Sequence, residues 1–236
     1  MGFERIAPPT MRELFVQQLV DKIFSGELRP GQKLPSEREL AEKMSISRSV
    51  AHLGLEDLRR MGFVRIEPRR GIYVTDYARE GNFETLNALS KYGGELDQAL
   101  VSSLVELRNA IYGGALIRLG DRHTPDDIAA MRAQINVLRE SRDSGTVRDY
   151  AVQMSRFELL VTEKCGNMIF PMMLNSFSET CLKIWEKCVS FWGVDAVVAQ
   201  EEHITDLVES GDGHSASAFV ETIYRQYLDA HLFKAP

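Results

Sequence analysis

The sequence has 236 residues, 44% of them hydrophobic and 26% charged, with 17 Gly, 8 Pro and 3 Cys. This suits a globular chain of one large or two modest domains and excludes collagen-like, disordered and disulfide-built proteins. The net charge of −6 divides unevenly: residues 1–75 hold 13 basic and 10 acidic side chains, the remainder 15 and 24. That split suits a polyanion-facing head on an acidic body. No apolar run approaches the roughly 18–20 residues that cross a bilayer, and the charged opening segment MGFERIAPPT is unlike an export signal. Cys165, Cys181 and Cys188 form no CxxC pair and are expected as thiols of a reducing cytoplasm.

Thr10-x-x-Glu13 is a capping box, after which Met11, Leu14, Phe15, Leu19 and Ile23 recur at helical spacing up to Ser25-Gly26. A second box, Ser36-x-x-Glu39, opens a short helix ending near Met44, and Ser47 caps a third helix running to about Arg60, with Gly62 as its stop. The β-prone runs 63–66 and 72–74 flank Glu67-Pro68-Arg69-Arg70-Gly71, which reads as a hairpin with a basic tip. Beyond Phe83 the periodicity is helical. Leu96, Leu100, Leu104, Leu107 and Ile111 make an apolar stripe, Thr124-Pro125-Asp126-Asp127 starts a helix, and further helices are expected at 146–164, 168–191, 195–209 and 213–232. The fold expected is mainly α: a winged helix-turn-helix over 1–76 (three helices plus a β-hairpin), a linker at 77–94, and an all-α antiparallel bundle over 95–236.

In a winged helix-turn-helix the third helix enters the major groove and the wing touches a neighbouring groove or phosphates. Ala51, Leu55 and Leu58 form the inward stripe of that helix, so Arg48, Ser49 and His52 face outward near its start, while Arg69 and Arg70 occupy the wing tip. An Arg fork grips guanine bidentately, the commonest specific base contact. Leu34-Pro35-Ser36-Glu37-Arg38-Glu39-Leu40-Ala41, Ser47-Arg48-Ser49, Gly62-Phe63-Val64 and Arg70-Gly71-Ile72-Tyr73-Val74 together resemble the head of GntR-family bacterial transcription regulators. The resemblance implies that Arg38 and Arg48 contact operator DNA and that Gly71 is the wing glycine. His52-Leu53 stands where the family usually has Arg-Glu, and Val50 where Pro is frequent, which implies an unusual operator or a weaker electrostatic contribution.

The second half is similar to the effector domain of the FadR subfamily. Arg108 matches a helix-borne Arg, the stretch from Phe157 to Cys165-Gly166-Asn167 resembles FHxxLxxxSGN, and Glu202-His203 and His231-Leu232 match later landmarks. Many relatives hold a divalent metal through an Asp and a His four apart plus two later His, which the resemblance maps to Met154, Glu158, His203 and His231. Glu158, His203 and His231 would still make a two-His, one-carboxylate set for zinc or a similar ion; otherwise the histidines are pocket or core residues. Arg108 suits the carboxylate or phosphate of an anionic effector, a small organic acid or an acyl-CoA, and its alternative is an internal ion pair with Glu106 or Glu158. Met172, Met173, Trp185, Phe191 and Trp192 suit core packing before an apolar ligand.

The function expected is a cytoplasmic, homodimeric transcriptional regulator, a repressor of the family's usual kind. It would read a pseudo-palindromic duplex and respond to a small anion bound by Arg108, Glu158, His203 and His231. The alternative is a metal-dependent enzyme with the head as tether. HExxH, P-loop, GxGxxG and GxSxG motifs are absent from the sequence, so no enzyme is expected.

Overall fold

The computed structural model describes residues 8–92, 98–143 and 145–229, and the chain divides into two compact units, Met1–Gly94 and Glu95–Pro236.

In the first unit α1 (Met11–Phe24) and α2 (Glu37–Lys43) each open on a complete capping box, Thr10 with Glu13 and Ser36 with Glu39. The Ser47 hydroxyl accepts the Val50 N–H at the start of α3 (Arg48–Arg60). Between α2 and α3 the chain turns at Ser45, whose φ of 53° is left-handed. There Ile46 N–H donates to the Ala41 carbonyl and Ser45 N–H to that of Glu42, a Schellman closure that uses up the helix's orphan carbonyls. Strands β1 (Val64–Glu67) and β2 (Gly71–Val74) pair antiparallel with Val64 opposite Val74.

Phe15, Val16, Leu19 and Val20 of α1 pack with Ala51, Leu55 and Leu58 of α3 and Phe63 beside the hairpin. Met11 and Leu14, expected on the α1 stripe, are exposed, because the buried face begins one turn later at Phe15. On α3 the Phe15 ring lies where a Gly54 side chain would be, its Cδ1 2.3 Å from an added Cβ. Within the stretch expected as a linker, 77–94, the described residues 77–92 carry two helices, α4 (Tyr77–Glu80) and α5 (Phe83–Tyr92). Tyr77 joins Phe24 and Phe63 in an edge-to-face aromatic trio at 5.5–5.7 Å, Ala88 and Thr85 are buried, and the Thr85 hydroxyl donates to the Met61 carbonyl at 2.6 Å. These contacts bind α4 and α5 to the rest of the head.

The second unit is all-helical: α6 (Gln98–Arg122), α7 (Pro125–Glu140), a 3₁₀ turn at Ser141–Asp143, α8 (Val147–Lys164), α9 (Ile169–Ser176), α10 (Ser178–Trp192), α11 (Val194–Glu209) and α12 (Gly213–Asp229). The helix expected over 168–191 is two, parted at Phe177, which leaves helical geometry (φ −131°) and buries its ring. The long α6 is the axis against which α8, α11 and α12 pack. Its buried row is Val101, Leu104, Val105, Arg108, Ile111, Tyr112, Ala115, Leu116 and Leu119. Leu107, expected in the stripe, is 38% exposed, while Arg108 beside it is 3% exposed. A charged residue therefore occupies a core position of the bundle's central helix.

Candidate nucleic-acid interface and helical-unit cavities

The outward face of α3 begins with Arg48, Ser49 and His52, all exposed. No acidic residue lies in the first turn of this helix. A cation at the positive end of a helix dipole is locally unfavourable, so the arrangement serves something other than the helix itself. Among the described residues Arg48 and Arg69 have no ion-pair partner. Arg38 makes only a loose contact with Glu42 at 3.5 Å and Arg70 one with Glu67 at 3.8 Å. His52 is drawn toward α2, its Nδ1 3.0 Å from Glu37 Oε2.

At the other end of α3 the Arg12 guanidinium grips Asp57 through two bonds of 2.5 Å, which ties α1 to α3 and fixes the helix about its axis. Arg69 takes a left-handed φ of 65° at the wing tip, and Gly71 has φ 128°, a region that only glycine enters freely. An added Cβ at Gly71 would also meet Lys33 Cε at 2.6 Å. Lys33 and Arg65 both lie over the Tyr73 ring, at 5.9 and 5.4 Å. Neither cation stood out in the sequence, because their proximity depends on the Lys33–Tyr73 bridge that adds a further backbone rung to the hairpin.

In the helical unit Arg108 of α6 and Glu158 of α8 form a buried ion pair, each about 4% exposed at its side chain. Tyr224 donates to Glu158 Oε1 at 2.5 Å. The guanidinium lies 5.0 Å from the Trp185 ring, which stacks on Tyr224 at 5.2 Å. Arg108 thus meets the internal partner anticipated for it. Its Nε, however, has no hydrogen-bond partner, and the residue borders a part-open groove of about 120 Å³ with Ser155, Arg156, Leu159 and Asn175. The Ser155 hydroxyl is also buried and unpartnered.

Glu158 borders a second cavity, of about 30 Å³, which also exposes Tyr112, Met154 and Glu201. Glu201, which no sequence motif marked, is 4% exposed with neither carboxylate oxygen hydrogen-bonded. Burial without a neighbouring cation pushes its carboxyl well above the usual carboxylate range, and burial likewise raises the Tyr112 phenol. The Cys181 and Cys188 thiols are pushed up by burial as well, which leaves them poor nucleophiles.

His203, expected with Glu158 at one site, is exposed and meets the Phe219 ring edge-to-face at 4.5 Å. Two residues advance a helix by about 200°, so the carboxylate that turns inward on α11 is Glu201 and His203 turns outward. His231 lies outside the described residues. A divalent cation does not fit the described donors: Glu158 is already neutralised by Arg108, Met154 offers a thioether, and Glu201 is left as a single carboxyl beside a phenol. Among the described residues no three His, Cys, Asp or Glu are grouped to hold a metal. Of the aromatic and methionine group, Trp185 is fully buried, whereas Met172 and Phe191 are each 53% exposed.

Residues 12–74 match the family model of bacterial regulatory proteins of the gntR family, and residues 103–226 match that of the FCD domain. The HTH-type transcriptional regulator Mce2R of Mycobacterium tuberculosis is 25% identical over 177 residues, which cover 75% of this chain and 72% of its own. LutR of Bacillus subtilis, also an HTH-type transcriptional regulator, is 24% identical over 205 residues, 83% of this chain and 90% of its own. The solved structure of Lar, described as controlling expression of the Listeria monocytogenes agr system, superposes with a TM-score of 0.65 over 95% of this chain and 97% of its own, at 16% identity. That last likeness is one of fold. No described helix is long and apolar enough to cross a membrane.

Proposed function

The chain belongs to the gntR family of bacterial DNA-binding transcriptional regulators, a non-enzymatic family, and carries an FCD domain; from that premise we propose that it is a cytoplasmic, homodimeric repressor released from its operator by a small anionic effector. The observation that carries the DNA half of this reading is the start of α3, where exposed Arg48, Ser49 and His52 stand with no acid in the first turn. Arg48 would read base edges, with Arg38 beside it, and Arg69 and Arg70 would grip phosphates around the turn that Gly71 permits. A dimer would present two such helices to half-sites about one helical turn apart.

The effector half is supported by Arg108. Arg108, whose Nε is unpartnered, and Ser155, whose hydroxyl is unpartnered, are lining residues of one groove, and exposed Arg156 supplies a further cation there to balance an incoming anion. A carboxylate there meets a planar donor edge already fixed by Glu158 and Trp185. Glu158 then acts as the residue that orients Arg108, and His203 takes no part.

The test is selection of bound sites from a random duplex library, followed by a salt series on the recovered site. A two-half-site motif and a steep fall in affinity with salt are expected, since each phosphate contact releases a counterion. Recovery of no motif, or binding indifferent to salt, would contradict the reading. Addition of small organic acids should then weaken binding in the wild-type protein and fail to do so in Arg156→Ala if the groove is the effector site.

A further inference from the structure

We propose that Lys33 and Arg65, carried by the backbone segments on either side of Tyr73 at the solvent face of the hairpin, form a row that binds the phosphate backbone of duplex DNA, separate from the wing tip. The row rests on the DNA-binding reading and deepens it: it adds affinity for any duplex and fixes how the wing lies along the strand.

Tyr73 lies on β2 between two neighbours. Arg65 is directly opposite it on β1, and Lys33 is bridged to it from the segment before α2. Alternation along the strands buries Val64, Ile72 and Val74 and turns Arg65 and Tyr73 to the other face. There Lys33 and Arg65 are exposed and Tyr73 is half-buried, with both cations over its ring.

Lys33 is held in this place by its backbone. Gly31 N–H donates to the Val74 carbonyl and Leu34 N–H to that of Ile72, both at 2.8 Å, and Val74 N–H returns a bond to the Gln32 carbonyl at 2.9 Å. The side chain then passes over Gly71, where an added Cβ would meet Lys33 Cε at 2.6 Å and Nζ at 3.3 Å. The glycine therefore serves a second purpose beyond its φ: it leaves the space that the lysine occupies. The Tyr73 hydroxyl donates to the Arg70 carbonyl at 3.3 Å, which ties the ring to the turn. A lysine on so fixed a base has less freedom to lose on binding than one on a mobile loop.

Charge sets the class of partner. Residues 64–74 hold Arg65, Arg69 and Arg70 against a single acid, Glu67. Glu67 meets Arg65 at 3.0 Å and Arg70 at 3.8 Å, whereas Lys33 has no ion pair among the described residues. Lys33 thus brings a fourth cation to one carboxylate, in a chain whose net charge is −6. Cations so gathered repel one another, and the ring offsets only part of that. An external polyanion removes the repulsion. Ammonium and guanidinium groups suit phosphate oxygens, and such contacts position a protein on DNA without reading its sequence.

The test uses the full chain with the duplex recovered by site selection and a scrambled duplex. Lys33→Gln should weaken both duplexes alike and lower the salt slope by about one, and Lys33→Gln/Arg65→Gln by about two. Duplexes that each carry one uncharged methylphosphonate then locate the contact. At one position the replacement should weaken binding by wild type and by Arg70→Ala and leave Lys33→Gln unaffected, a coupling that a general loss of folding would not give. Wild-type salt slopes in both variants would overturn the row. So would a loss confined to the selected duplex, which marks a base contact, or equal sensitivity of wild type and Lys33→Gln at every position. Loss of the same phosphate contact in Arg70→Ala would make the row a part of the tip and overturn it too. Wild-type protein that binds no duplex would overturn the DNA-binding reading and the row together.

Discussion

Four arginines of the head and one of the helical unit are used in opposite ways. In the head, Arg38, Arg48, Arg69 and Arg70 stand in solvent with loose ion pairs or none. In the helical unit Arg108 is 3% exposed, paired with Glu158 and laid against Trp185. An exposed guanidinium contributes little to its own fold, so it is free to be spent on an external polyanion. A buried one must be matched internally or the unit fails. The difference separates a surface that reads charge from a core that is arranged by it.

The sharpest way to break that contrast is to remove the buried cation. Arg108→Met leaves Glu158 unpaired in the bundle and is expected to destabilise the helical unit by about 3–5 kcal/mol, measured by urea denaturation. The double variant Arg108→Met/Glu158→Gln keeps an acceptor for Tyr224 without the charge and should recover most of that loss. If the single variant costs under about 1 kcal/mol, the pair behaves like a surface contact and the contrast falls.

A second effect concerns Glu201. Burial raises its carboxyl above the ordinary glutamate value of 4.5, so the native state keeps a proton that the unfolded chain gives up. Stability should therefore fall as pH climbs from about 4.5 toward the folded-state value, by up to about 1.4 kcal/mol per pH unit from this group. Glu201→Gln should remove that slope and be more stable than wild type at pH 7, while matching it near pH 4. Parallel stability curves for the two proteins would show Glu201 to be solvated or paired.

The smallest effect tests the turn that presents α3. Ser45 holds a left-handed φ of 53°, a conformation that costs an L-residue about 1–2 kcal/mol and glycine little. After glycine's greater loss of chain entropy, Ser45→Gly should stabilise the head by about 0.5–1 kcal/mol with DNA affinity unchanged. A loss of stability would mean that the Ser45 side chain contributes to the turn in its own right.

Much of the head was legible because its signals are local. The Thr10–Glu13 and Ser36–Glu39 boxes mark helix starts through bonds made within three residues, and Arg69-Arg70-Gly71 announces a turn through the φ its glycine requires. The two helices within the stretch expected as a linker have a tertiary origin: Tyr77, Thr85 and Ala88 pack in the head with Phe24, Phe63 and Met61, and no local pattern encodes that docking.

The helical unit was legible in its helices and less so in its site. Helical period alone puts 104, 108 and 111 on one face, yet the apolar residues trace a stripe through Leu107, because an Arg in a core row runs against hydrophobic patterning. In the sequence His203 has the chemistry of a metal ligand, while Glu201, two residues away, reads as one more acid on a helix. Only the packing of α11 shows which of the two turns inward. Such departures from local rules are where functional positions concentrate.

The central claim is that the exposed start of α3 reads sequence while the wing grips backbone. The direct measurement is the ratio of affinities for the selected site and a scrambled duplex, at fixed salt, for wild type, Arg48→Ala and Arg70→Ala. Arg48→Ala should lose roughly 10- to 100-fold of that ratio, the worth of a bidentate base contact. Arg70→Ala should weaken both duplexes alike and lower the salt slope by about one. A ratio untouched in Arg48→Ala, with the discrimination lost instead in Arg70→Ala, would contradict the account.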